Sequence, residues 1–516
     1  MLKNIFITIL LICSVSGVWG QKSVKVKVSG NVITTDGVPA EFINIQLKNT
    51  FYGGTSDGKG YFEFMAPAGQ YTMIVQSIAA HRREFPVTIE EGKENHFADI
   101  EIRENINQLE QVVVTGQFSP QSMRNSLYRV RTVNSEQIRQ KAPTSVQSLL
   151  NTEIGIRLSN DMALGETDFE LMGMSGNNVK ILLDGIPLID RGATKQSLSQ
   201  LDVNSIERVE IVEGPMSVVY GTDALAGVIN IITKKGDGYS EENTWRVGAR
   251  VQEESMGKEY DFFKDKGLHN ESIDLGFNHK SGLFVNGGYT RNNHGGWQGD
   301  LTGREKRWHP KDQALMNGMF GFQNRNMNVW YRLDFLDEKI FGPNNGSELQ
   351  PEKVSDKDFL TKRYTHQLQS DWKLDNRLDV HAALSYQDYK RRTRTTESDL
   401  STGEKWLSSA EASQDITQYK AWIARATVAW NIAPEFSVQP GVEYQWTQGE
   451  GGRIDGTPKV SDLAFFLSAE YKPWEWLSLR PGVRTFIVAD YDAPIAIPSV
   501  LTKFKLTKHM DLRLSY

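Results

Sequence analysis

Along more than half of this chain, apolar and polar residues alternate with a period of two. In residues 328–336, Val329, Tyr331, Leu333 and Phe335 share one face, and Trp330, Arg332 and Asp334 share the other. Residues 378–387 set Leu378, Val380, Ala382, Leu384 and Tyr386 against Asp379, His381, Ser385 and Gln387. Residues 436–446 set Phe436, Val438, Val442, Tyr444 and Trp446 against Ser437, Gln439, Glu443 and Gln445. Successive side chains on a strand point to opposite faces, so this pattern predicts strands with one apolar face. About ten residues is the length a tilted strand needs to cross a bilayer. The connections alternate as well. Tight turns are expected at Ser281-Gly282, residues 324–326, residues 375–377, Ala433-Pro434 and near Pro473-Trp474. Longer polar stretches lie at 254–270, 292–313, 339–362, 394–416 and 449–459. Short turns on one side and long loops on the other are the asymmetry of a transmembrane antiparallel β-barrel. Roughly thirteen strands fit between residues 240 and 516, the last running outward, so the barrel is expected to be incomplete.

The preceding residues follow other rhythms. Between residues 21 and 104 the strands are short. Val24, Val26 and Val28 alternate with lysines, Ile43, Ile45 and Leu47 alternate with polar residues, and Asp57-Gly58-Lys59-Gly60 marks a turn. Turns every ten residues or so predict a small β-sandwich. Residues 119–236 mix helix and strand signals and predict an α+β domain. Thr144 and Gln147 stand at capping-box spacing before Val146, Leu149 and Leu150. Apolar strands follow at 179–183, around Val209 and Ile211, and at 227–234. The fold class read from these patterns is mainly β, with an N-terminal β-sandwich, an α+β domain and the incomplete barrel.

Residues 1–20 open with Lys3 and continue as an apolar run to Val18, the form of a cleaved export signal. Cys13, inside that segment, is the only cysteine in 516 residues, which excludes disulfides, thiolate catalysis and cysteine metal sites from the remainder. A net charge of −6 offers no basic surplus for phosphate backbones, so nucleic acid is not expected as a partner. Mean hydropathy is −0.44, which barrel strands also produce because polar and apolar positions average out.

Two blocks carry a specific resemblance. KILLDGIPLID at 180–190 and SIERVEIVEGPMSVVYGTDALAGVINIITKK at 205–235 resemble the plug domain of TonB-dependent outer-membrane receptors. The turn at Asp184-Gly185, the strand around Glu210, the loop with Gly214, Pro215, Tyr220 and Gly221, and the strand with Gly227 and Asn230 occur in family order. Gly214, Gly221 and Gly227 suit turns barred to other residues, and Asn230 and Thr233 are expected to satisfy polar groups in a wet lumen. Where the family usually has Arg-Gly before the Asp-Gly strand, this chain reads Met172-Gly173, which puts an ion pair to the wall there in doubt. Upstream, GNVITTDGVPAEFINIQLKN, TSDGKGYFEF and PAGQYTMIVQ resemble the carboxypeptidase-regulatory-like domain.

Residues 109–116, LEQVVVTG, read by themselves as a strand; placed before a plug they resemble a TonB box. The resemblance implies that Gln111, Val112, Val113, Val114 and Thr115 pair edge-to-edge with the periplasmic domain of TonB, energised by ExbB/ExbD. It implies active import across the outer membrane of a scarce solute: an iron chelate (siderophore or haem) or cobalamin first, an oligosaccharide as the alternative. A non-transporting binding or signalling receptor is a third reading. No catalytic motif or resident cofactor is expected, and Gly173-Met174-Ser175-Gly176 reads as a turn. Ligand contacts are unassigned; His294, Trp297 and His309 are candidates for a haem or metal chelate. Arg391, Arg392 and Arg394 fit either an anionic chelate or anionic lipid.

Overall fold

The computed structural model describes residues 25–34, 39–77, 80–93, 95–102, 112–118, 121–123, 126–161, 166–190, 195–236, 242–375, 377–452, 454, 456–488, 494–507 and 510–516. Residues 1–20, expected to form an export signal, and Gln111 lie outside them. The chain divides into two compact units, Met1–Val112 and Val113–Tyr516.

The first unit is a two-layer β fold. One sheet places Lys25–Thr34 between Tyr61–Pro67 and Asn95–Ile102; the other orders Gly53–Thr55, Asn44–Leu47, Gly69–Ser77 and Ala80–Ile89. The inward positions of the alternating segments, Val28, Val32, Ile45, Leu47, Met73 and Val75, fill the space between them. Asp57 closes its hairpin by accepting the Lys59 and Tyr61 amides at 2.8 and 2.9 Å.

In the second unit a five-stranded sheet runs Arg129–Asn134, Ile206–Glu213, Gly227–Thr233, Val179–Leu183, Ile186–Pro187. Every residue of Gly227–Thr233 is buried. A central strand covered on both faces needs an unbroken apolar run, which explains Val-Ile-x-Ile-Ile and makes Asn230 the exception. Two short helices, Ser135–Lys141 and Val146–Leu150, pack Ile138, Val146 and Leu149 onto the sheet. Their capping boxes are Asn134 with Gln137 and Ser145 with Ser148. The second lies one residue beyond the expected Thr144–Gln147 pair, because Ser145 takes the extended backbone that an N-cap needs.

Around this domain winds an antiparallel sheet of fourteen strands, thirteen in sequence order from Thr244–Glu254 to Met510–Ser515 and a short Lys405–Leu407 beside Leu378–Asp399. It is not closed: the first and last strands are its edges. The sheet is apolar outside and polar inside. Trp245 is 74% exposed, and Val247, Leu275, Phe320, Leu368 and Phe465 share the outer face with it, while Gln313, Gln367, Gln387, Glu443 and Arg484 are buried. Trp330, on the inward face, is 1% exposed. Water as the outer solvent would favour the reverse arrangement; hydrocarbon favours this one.

The strands outrun their expected lengths. Lys353–Asp375 has 23 residues, roughly 75 Å at ~3.3 Å per residue, against a hydrocarbon core of ~30 Å. The excess stands above the apolar band, so the long connections between 339 and 362 and between 394 and 416 are largely hairpin rather than loop.

Candidate functional site

Two of the residues that resemble a TonB box, Val114 and Thr115, converge on one buried carboxylate. Glu210 lies on the middle strand pairing of the α+β sheet and is fully buried. Its oxygens accept the amide of Val114 at 3.1 Å, the amide of Thr115 at 2.8 Å and the Thr115 hydroxyl at 2.6 Å. Arg208 donates to the other oxygen at 2.9 Å. Val113 and Thr115 are buried. Residues 114 and 115 are therefore held inside this unit by side-chain acceptance, and Val113 belongs to a short strand paired with Gln121–Ser122.

Asn230 extends the network. Its Nδ2 donates to the Thr115 hydroxyl at 2.9 Å, and its Oδ1 accepts the Gly185 amide at 2.9 Å. Asp184 accepts the Thr233 amide and hydroxyl at 3.0 and 2.7 Å and meets Lys235 at 3.3 Å. The Asp184-Gly185 turn, the Gly227–Thr233 strand and residues 113–115 are thus one bonded cluster. Asn230 and Thr233 serve it from the dry interior of the domain, a correction to the wet lumen expected for them: both are buried and their partners are fixed groups.

The loop after Glu213 behaves as its glycines imply: Gly214, Gly221 and Gly227 have φ of 100°, 78° and 148°. A Cβ on Gly227 would stand 2.1 Å from the carbonyl oxygen of Val212, so the backbone pairing there demands glycine. Pro215 leads into the turn of helix Ser217–Tyr220, and the Tyr220 hydroxyl accepts the Gly116 amide at 3.3 Å.

The wall grips the same elements. Gln367 and Gln369 donate to the carbonyls of Leu183 and Asp184 at 3.2 and 2.9 Å. Gln387 donates to Pro187 at 2.7 Å and accepts from the Ile189 amide at 3.0 Å. Arg480, 1% exposed, donates to the Gly116 carbonyl and pairs with Glu470; its guanidinium lies 4.4 Å from the Phe118 ring centroid. Glu443 bridges Arg425 and Arg484 at 2.7 and 2.6 Å beside Tyr220. These cations all stand on the wall. Met172, where the family resemblance expects a cation, is half exposed with φ of 52° and makes no such contact.

Asp202 joins the two layers at another point. It accepts the Asn204 amide at 3.0 Å, the Thr290 hydroxyl at 2.9 Å and the Asn317 side chain at 3.0 Å. Burial pushes its carboxyl above the ordinary range, with the Asn204 and Thr290 bonds and the Arg332 charge acting in opposition.

The ligand candidates are less unified. His294 ends strand Leu283–His294 with its ring 5.7 Å from Trp308, and Trp297 meets Trp308 edge-on at 6.3 Å. His309 packs near Gly342. They belong to one packed outer loop, which Arg304 ties to Asp356 at 2.7 Å. The arginine trio is divided: Arg391 is buried on the inward face, 4.7 Å from the Phe359 ring centroid, whereas Arg392 is exposed on the outward face.

The TonB-dependent Receptor Plug Domain matches residues 122–228, the domain that carries this network. Over this domain the chain is similar to the TonB-dependent receptors. The CarboxypepD_reg-like domain matches residues 28–114 of the chain. The chain is 32% identical to the vitamin B12 transporter of Vibrio vulnificus over 139 residues, 27% of this chain and 23% of that one. It is 33% identical to the ferrienterobactin receptor of Escherichia coli over 125 residues, 21% of this chain and 17% of that one. The matched stretch thus spans under a quarter of each curated relative. The siderophore receptor PirA of Pseudomonas aeruginosa shares the fold with a TM-score of 0.56 at 15% identity, over 75% of this chain and 61% of that one. These relatives are transporters and receptors, not enzymes.

Proposed function

We propose that this receptor imports a scarce solute across the outer membrane, driven by TonB with ExbB/ExbD, and that the solute is an iron chelate or cobalamin. The observation that carries the reading is the buried Thr115–Glu210 contact inside a plug enclosed by an apolar-faced wall. A segment of extended residues, bonded at one carboxylate and linked through Asn230 to the Asp184-Gly185 turn, passes a pull directly into the plug. Residues 111–115 would pair with the periplasmic domain of TonB through main-chain hydrogen bonds once released from Glu210. The relatives named for vitamin B12 and ferrienterobactin support a metal-chelate cargo.

Deletion of residues 111–115 is the direct test. Energy-coupled uptake is expected to vanish while ligand still binds the cell surface; unchanged uptake would remove the coupling step. Growth of a deletion strain on haem, a ferric siderophore, cobalamin or an oligosaccharide as the limiting nutrient identifies the cargo, and rescue by the oligosaccharide alone would overturn the chelate assignment.

A further inference from the structure

Between the plug and the wall strands Thr244–Glu254, Leu268–Asn278 and Leu283–His294 lies a polar recess of about 310 Å³. Gly276 stands in register between Arg246 and Asn286, and its lack of a side chain lets these two meet. Arg246 donates to Asn286 Oδ1 at 3.2 Å, and a Cβ on Gly276 would come within 2.6 Å of that oxygen. The oxygen is thereby committed, so the amide nitrogen of Asn286 faces the recess. Asn286 is 9% exposed, and among the described residues its Nδ2 donates to no group. A buried donor in this state calls for an acceptor.

Among the described residues, the charges around the recess leave one cation in surplus. Arg246 pairs with Asp274 at 3.9 Å and Arg332 with Asp334 at 2.5 Å. That leaves Lys234 and Arg250, both bonded to Asn204 at 2.7 and 3.1 Å, against the single carboxylate of Asp202. Asp202 is already committed to Asn204, Thr290 and Asn317. Burial pushes the Lys234 ammonium below its ordinary range; Asp274 opposes this and Arg246 adds to it. Arg139 and Glu254, one of each sign, act from farther out.

We propose that the recess binds one small monovalent anion, of the chloride class, between Lys234 of the plug and Asn286 of the wall. Lys234 uses one of its three protons on the Asn204 carbonyl, so it can donate to the anion as Asn286 Nδ2 does. One negative charge matches the one surplus cation. Asp202 and Asp274 in the same recess repel a multiply charged oxyanion more strongly, which selects chloride over phosphate or sulfate. The bound ion joins plug to wall, so the strength of that seam follows the halide concentration.

The test uses the full-length protein purified in detergent. Crystals soaked in sodium bromide are expected to give an anomalous peak within hydrogen-bond reach of Asn286 Nδ2; no peak there overturns the proposal. In urea unfolding with gluconate replaced by chloride at constant ionic strength, one site lowers the unfolding constant about tenfold for each tenfold rise in chloride above its dissociation constant. Equal stability in the two salts overturns it. Asn286→Asp sets a carboxylate where the anion would sit and should lose both the peak and the chloride dependence. Lys234→Gln removes the surplus cation and carries the same expectation should the first variant fail to fold. A peak or a chloride dependence that survives in the folded variants marks an adventitious ion only and overturns the site.

Discussion

The Thr115 hydroxyl donates to the Glu210 carboxylate at 2.6 Å across 95 residues of sequence. Three donors of the segment meet this one buried acceptor, whose charge is paired with Arg208 on the same strand.

Replacing Glu210 by Gln keeps the shape but puts an amide where two backbone N–H groups donate. Charge-assisted hydrogen bonds are worth about 1.5–3 kcal/mol each. Amide exchange at Val114 and Thr115 should accelerate by at least about tenfold in Glu210→Gln, read by mass spectrometry, with the wall strands unaffected. Unaltered protection at those two amides would mean that something other than Glu210 holds them.

Gly227 and Gly185 offer a controlled contrast. Both have positive φ, but a Cβ on Gly227 meets the Val212 carbonyl at 2.1 Å, while one on Gly185 meets nothing within 4 Å. Gly185→Ala should therefore cost only the left-handed backbone penalty of about 1–2 kcal/mol. Gly227→Ala must also displace a sheet carbonyl and should lower the melting temperature further. Equal melting temperatures for the two variants would contradict the geometry.

Arg480 joins the Gly116 carbonyl to Glu470 in a buried site. Removing one partner of a buried pair typically costs about 3–5 kcal/mol when a charge is left alone. Lys472, 2.8 Å from Glu470, offsets part of this, so Arg480→Met should destabilise by less than that range, and adding Glu470→Gln should recover part of the loss. A double variant as unstable as the sum of the single ones would show that the two side chains act independently.

Asp202 supplies a pH dependence. Burial raises its carboxyl above the value of 3.8 typical of the unfolded chain. Between 3.8 and the raised folded value the folded state holds the extra proton, so stability falls as pH rises through that window and is level above it. Asp202→Asn should abolish this fall, as measured by denaturant unfolding from pH 3.5 upward. A variant that keeps the wild-type slope would assign it to another group.

Much of this was legible in the sequence because a period of two survives wherever one face of a strand meets lipid. The apolar sides of residues 328–336, 378–387 and 436–446 all lie on the observed outer face, and the Asp184-Gly185 and Gly214-Pro215 turns fall where the plug resemblance puts them. Glu210 was not legible. Within IERVEI it reads as the polar half of an alternating strand, and only the return of residues 113–115 onto that strand buries it. Arg391, Arg392 and Arg394 read as one basic cluster because neighbours in sequence are separated by the wall only once the strand continues past the apolar band. The shift of the helix cap from Thr144 to Ser145 has a similar origin: both residues can cap, and local backbone dihedrals choose between them.

The wall itself can be tested residue by residue. Single cysteines placed from 382 to 389 in a chain lacking Cys13 can be probed in intact outer membranes with a bilayer-soluble and a water-soluble thiol reagent. A lipid-facing wall predicts that positions 382, 384 and 386 react with the bilayer-soluble reagent while 383, 385 and 387 do not. Uniform reaction of all positions with the water-soluble reagent would contradict it.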